Sequence, residues 1–266
     1  MPNREGAGTF LAGNLEWGNR ERFGGCCGLP MTIISKSRGF IFVHLPKCGG
    51  TSVEQAFARH AAWSDIIVGS TPLGEFLTPY YRWRYGLKKH SRASQIRSAV
   101  APQLWDHAWK AALVRHPMRA LESLHGWIAG LADNYKAQQQ IDHAEFVRRT
   151  NAGALPGFLG RSRITRTYAA TTDFAQFVDA ALKARLLPPS QTQWLSDGER
   201  LIVDDVFKLE EIDRFWQALE ARTGLKVERL HANRSANATY HWDARHIRDV
   251  AARFRDDFVN FGYEPV

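Results

Sequence analysis

The chain has 266 residues, of which 44% are hydrophobic and 23% charged, and a formal net charge of +8. These values exclude a disordered or fibrous chain and fit a globular α/β domain with a substantial core. The excess of base points to an anionic partner, but like charges never run together in a long block. A nucleic-acid-binding tail is therefore not expected.

The only cysteines are Cys26, Cys27 and Cys48. Their odd number and spacing suit neither a disulfide framework nor a zinc site, and free thiols in a reducing compartment are expected. No apolar stretch reaches the ~18 residues of a membrane span. The N-terminal segment lacks the apolar core of a signal peptide, so a cytoplasmic protein is expected. Its polar, glycine-rich composition predicts a flexible extension over 1–35, followed by one domain over 36–266.

In chain order, Phe40 to Leu45 is a continuous apolar run, the pattern of a strand buried on both faces. Pro46 to Gly50 reads as a turn. Thr51 and Glu54 have the spacing of a capping box, and Val53, Ala56 and Phe57 share one face of the helix that follows. A second unit repeats the arrangement: Ala111 to Arg115 reads as a short strand, and Pro117 opens a helix through Leu121, Leu124 and Ile128. The stretch from Tyr135 to Ser190 is mixed helix and loop. Leu201 to Asp204 predicts a strand, Leu209 to Ala221 a helix stopped by Gly224, Val227 to Leu230 a strand, and Ala244 to Asn260 a last helix. Strands alternating with helices predict a three-layer α/β/α fold around a central parallel sheet.

Ligands of such folds bind at the carboxyl ends of strands, and two strand ends here are unusually polar. The first is Pro46-Lys47-Cys48-Gly49-Gly50-Thr51-Ser52. Its glycines let backbone N–H groups approach an anion, and the helix N-terminus, Lys47 and the two hydroxyls add donors and positive charge. It is not a Walker A loop, because the lysine precedes the glycines. The plain alternative is an ordinary strand-to-helix turn with a solvated lysine. The second strand end is Val114-Arg115-His116-Pro117-Met118-Arg119, followed by Ser123. Arg115 at a strand tip suits bidentate contact with a phosphate.

Together the two motifs resemble those of the sulfotransferases that use 3′-phosphoadenosine 5′-phosphosulfate (PAPS), in particular the carbohydrate branch that includes the heparan sulfate 2-O-sulfotransferases. The matching positions are Pro46, Lys47, Gly49, Gly50, Thr51 and Ser52, then Val114, Arg115, Pro117, Arg119 and Ser123. Gln191, Leu195, Leu209-Glu210, His231, Asn233 and Asp257-Phe258 follow the family's order. The resemblance covers roughly 38–264. It implies a P-loop-like sulfotransferase fold and transfer of a sulfuryl group to an acceptor hydroxyl, on a carbohydrate or another alcohol, with an anionic acceptor in keeping with the basic charge. The product nucleotide would be 3′-phosphoadenosine 5′-phosphate, and no metal is implied. Cys48 stands where the family has threonine and His116 where it has Asp or Asn, while Leu124 and His125 replace an aromatic pair.

By this resemblance the backbone from Cys48 through Gly49, Gly50 and Thr51 to Ser52 holds the 5′-phosphate, and Lys47 meets the leaving oxygen. Arg115 and Ser123 hold the 3′-phosphate, and His231 and Asn233 lie beside the nucleotide. His90 matches a histidine used as general base, and its side chain has a suitable pKa; the alternative is a solvated histidine in a basic loop. His107 and His125 are weaker candidates. The bases from Arg82 to Arg97 either line an acidic acceptor's groove or form a solvated face. Two other classes compete: a P-loop-like nucleotide kinase or phosphotransferase, and a non-catalytic nucleotide-binding module. The first needs a Walker A lysine and a magnesium-binding carboxylate, and neither pattern occurs. Lys47 and His90 argue against the second.

Overall fold

The computed structural model describes residues 32–69, 71–88, 90–228 and 240–265. Strand β1 (Ile33–Ser35) turns through Gly39 into β2 (Phe40–Val43), and the two pair antiparallel. Helix α1 (Gly50–Ala58) follows, and β3 (Ile66–Ile67) then pairs antiparallel with the other edge of β1. Helices α2 (Pro72–Tyr85), α3 (Ala93–Ala99) and α4 (Pro102–His107) lead to β4 (Trp109–Val114), which lies parallel to β2. A long helix, α5 (Pro117–Gln139), enters a helical stretch of α6 (His143–Asn151), α7 (Gly157–Arg161), α8 (Arg163–Ala169) and α9 (Phe174–Lys183). Helix α10 (Gln191–Leu195) precedes a small hairpin of β5 (Ser196–Asp197) and β6 (Arg200–Leu201). Strand β7 (Asp205–Lys208) pairs parallel with β4. Helices α11 (Ile212–Thr223), α12 (Ala244–Arg253) and α13 (Arg255–Phe261) complete the described chain.

The five-stranded sheet has the order β3-β1-β2-β4-β7. Its centre is parallel, but the sheet is mixed, which corrects the expectation of a parallel sheet. The cause lies in the connection lengths. Only Lys36 to Gly39 separate β1 from β2, and so short a link permits antiparallel pairing alone, whereas parallel neighbours need a long crossover. Strand β1 also lies within the segment assigned to the extension, so the sheet begins at Ile33.

The buried strands follow the expected logic. All residues of β2 and β4 are buried, and Phe40, Phe42, Phe57 and Phe215 interlock with ring centroids 5.6–6.5 Å apart. The strand expected at Leu201 to Asp204 lies further on, at Asp205–Lys208. Asp204 instead meets the base of the sheet: its carboxylate accepts from the Lys110 N–H at 2.8 Å and pairs with the Lys110 Nζ at 3.0 Å. Strand β7 is half-exposed throughout, so it lacks the apolar run that marks a buried strand. No strand forms at Val227 or Glu228, and the rest of that expectation, Arg229 and Leu230, lies outside the described residues. The last helix is two helices, separated at Phe254. A smaller core of Ala132, Phe146, Leu155, Leu159 and Ala169 sits among α5 to α8. Among the described residues, no helix is long and apolar enough to cross a membrane.

Candidate anion site at the strand tips

Between β2 and α1 the chain makes a tight loop with two left-handed residues, Lys47 at φ 65° and Gly49 at φ 77°. Helix α1 begins at Gly50 with Gly49 as its N-cap. It therefore starts before the expected Thr51–Glu54 box, which does not form. Glu54 turns inward, fully buried, and its carboxylate accepts from His44 Nδ1 at 3.2 Å. Gly50 has a packing reason to be glycine, since a Cβ there would lie 2.3 Å from the His44 ring.

A helix leaves its first N–H groups without intrahelical acceptors, and Gly49 has no side chain to take one up. The Cys48 N–H turns back to the Leu45 carbonyl at 3.4 Å, and the Ser52 N–H to that of Gly49 at 3.1 Å. Among the described residues, no acceptor is hydrogen-bonded to the N–H groups of Gly49, Gly50 or Thr51. With the positive end of the helix dipole behind them, these donors are of the kind that can accept an anion. The Cys48 side chain is buried, and its thiol donates to Gln191 Oε1 at 3.1 Å. Burial pushes that thiol far above its usual range, against the opposing pull of Arg115, so it is a neutral donor and no nucleophile. The Lys47 ammonium lies 5.0 Å from the centre of the Trp127 ring, a cation–π contact.

The second strand tip meets the first directly. One guanidinium nitrogen of Arg115 lies 3.4 Å from the Lys47 carbonyl, a long bond that an incoming anion can displace. The backbone of Arg115 is clamped by one side chain: Gln191 Oε1 accepts from its N–H and Gln191 Nε2 donates to its carbonyl, both at 2.7 Å. Gln191 and Thr192 are in turn fixed by Asp257, whose carboxylate accepts from both backbone N–H groups and from the Thr192 hydroxyl at 2.7–2.9 Å. His116 is the N-cap of α5. Its Nδ1 accepts from the Met118 N–H at 3.3 Å, and its Nε2 donates to the Glu264 carbonyl at 2.8 Å. Ser123 is buried on α5. Arg119, exposed, pairs with Glu122 at 2.9 Å.

His90 lies between α2 and α3, and the fold carries it to the tip of β2. Its Nδ1 lies 3.1 Å from the His44 carbonyl, and its ring meets the edge of the His44 ring at 4.9 Å. A carbonyl can only accept, so Nδ1 carries a proton, and in the neutral imidazole the lone pair is on Nε2. Trp194 packs at 6.0 Å on the same ring. The other candidate histidines are elsewhere. His107 is exposed on α4 and bonded to the Gln103 carbonyl. His125 is boxed by Tyr168, Phe174, Phe177 and Tyr240, and burial lowers its pKa. His231 and Asn233 lie outside the described residues.

The structure thus joins the Lys47 loop directly to Arg115 and sets His90 on the His44 that packs against Gly50, while Gln191 and Asp257 supply a support that residue order alone does not reveal. Among the described residues, no three His, Cys, Asp or Glu side chains gather as a metal-ligand set. Comparison with protein-family models, curated proteins and solved structures gave no significant match.

Proposed function

We propose that the chain is a sulfotransferase of three-layer α/β/α architecture that moves a sulfuryl group from PAPS to an acceptor hydroxyl, with carbohydrate as the acceptor class. The observation that carries this reading is that the start of α1, with its three N–H donors, and the tip of β4 meet where Arg115 reaches the Lys47 carbonyl, while His90 stands on the His44 that packs against Gly50. The N–H groups of Gly49, Gly50 and Thr51 suit the 5′-phosphate of the donor. Arg115, once it leaves the Lys47 carbonyl, would read a second phosphate on the same nucleotide.

In the reaction, the acceptor oxygen attacks sulfur in line with the departing phosphate oxygen. The S–O bond to the new oxygen forms as the bond to the nucleotide breaks, and 3′-phosphoadenosine 5′-phosphate leaves. The acceptor proton passes to His90 Nε2, the nitrogen left basic by the bond from Nδ1 to the His44 carbonyl. Lys47 leaves Trp127 to meet the charge that develops on the leaving oxygen. Catalysis of this kind rests on positioning and charge stabilisation, which are what the clamped loop offers.

The test is transfer of labelled sulfate from PAPS to a panel of glycans and simple alcohols, together with calorimetry of the nucleotides. Tighter binding of 3′-phosphoadenosine 5′-phosphate than of AMP is expected. Equal affinities, or no transfer to any acceptor, would remove the basis for the reading.

A further inference from the structure

The outward side of α2 takes no part in the chemistry above. Thr71 caps this helix by accepting from the Gly74 N–H at 3.0 Å, and Gly86 ends it in the left-handed conformation. Gly74 is its one buried residue; a Cβ there would lie 2.4 Å from the Gly69 carbonyl, so the helix backbone comes close to the body there, and Tyr81 packs against the core. On the other side, Leu73, Phe76, Tyr80 and Trp83 recur at three- and four-residue spacing and form one stripe. Their exposures are 66, 79, 49 and 81%. An amphipathic helix usually turns such a stripe to the core, and a contiguous exposed apolar patch marks a contact surface.

Charge identifies the contact. From Thr71 to Arg92 the one acid, Glu75, stands against Arg82, Arg84, Lys88, Lys89 and Arg92. Arg82, Arg84, Lys88 and Arg92 are exposed and cluster at and beyond the C-terminal end of α2. A second copy on this face would set two surfaces of the same net positive charge against each other, because a two-fold contact uses the same patch twice. An anionic surface would neutralise that charge. Leu, Phe and Trp beside Tyr and a border of cations is the composition of a helix lying in the headgroup plane of a bilayer. At 14 residues α2 is too short to span one.

We propose that α2 docks the protein on an anionic bilayer. Leu73, Phe76 and Trp83 enter the boundary of the acyl chains, Tyr80 lies at headgroup level, and Arg82, Arg84 and Lys88 meet the anionic headgroups. This does not depend on the reaction proposed above.

The experiment is co-sedimentation of the full chain with vesicles of phosphatidylcholine containing phosphatidylserine, and with phosphatidylcholine alone. Pelleting with the anionic vesicles is expected, weaker by about tenfold or more without phosphatidylserine. Phe76→Ser with Trp83→Ser should weaken it by about tenfold or more. Arg82→Glu with Arg84→Glu should do so by a similar factor and is a second, charge-only variant. Circular dichroism of both variants should match wild type, because the changed side chains are exposed. The proposal is overturned if wild type fails to pellet with anionic vesicles, or if both folded variants pellet as well as wild type. A dimer in sedimentation velocity that Phe76→Ser with Trp83→Ser abolishes would also overturn it, since a second copy would then cover the face.

Discussion

Lys47 sits at φ 65°, a region that costs a residue with a side chain about 1–3 kcal/mol. The surrounding loop holds it there and aims its carbonyl at Arg115 and its ammonium over Trp127. Under the proposed reaction, Lys47→Ala should cut turnover by about 10²–10³ and leave nucleotide binding measurable by calorimetry. Turnover near wild type would show that the ammonium does not meet the leaving oxygen. His90 is the other decisive residue. His90→Ala should lower turnover by about 10² or more with nucleotide affinity nearly unchanged. The rate of wild type should fall toward acid pH as the imidazole protonates, and the variant should lack that limb. A variant that keeps both the full rate and the acid limb would move the base elsewhere. The sequence singles out His90 only through resemblance; the contact that puts a proton on its Nδ1 comes from a carbonyl distant in sequence, that of His44.

At the scale of elements, the two strand-turn-helix units were readable because their signals are local. Apolar runs mark β2 and β4, Pro117 opens α5, and Gly224 closes α11. The start of α1 was misread because Thr51 and Glu54 match a capping box, while tertiary packing turns Glu54 to His44 and gives the cap to Gly49. The close approach of Gly50 to His44 makes a sharp test of this packing. Gly50→Ala places a methyl group where the His44 ring stands, and overpacking of this kind costs about 1–3 kcal/mol. A lowered melting temperature is expected in calorimetry, and turnover should fall with it because the His44 carbonyl holds His90. An unchanged melting temperature would mean that His44 can move aside without loss.

At the scale of the whole molecule, Asp257 ties the C-terminal helices to the site through Gln191, Thr192 and, beyond them, Arg115 and Cys48. Its carboxylate is fully buried. Burial is the strongest influence and raises its pKa, outweighing the donors that favour the charge. A carboxyl raised in the folded state stabilises fully below its unfolded value, about 3.9, and loses that contribution as pH rises through the folded one. Asp257→Asn removes the titration. Melting temperatures measured across the acid range should therefore show wild type losing ground against the variant as pH rises. A constant gap, or one moving the other way, would contradict the raised carboxyl.

The sequence alone determined what short-range chemistry can encode: where buried strands run, where helices start or stop, and which residue types sit at the two polar strand tips. Periodicity and capping act within a few residues, so they are visible in any window of the chain. Only the tertiary structure decided that the sheet is mixed, that the sheet strand after the hairpin is Asp205–Lys208, that Gln191 clamps Arg115, and that His90 stands on His44. These contacts join residues tens of positions apart. Their partners are chosen by which elements pack together, and no local pattern of side chains carries that information.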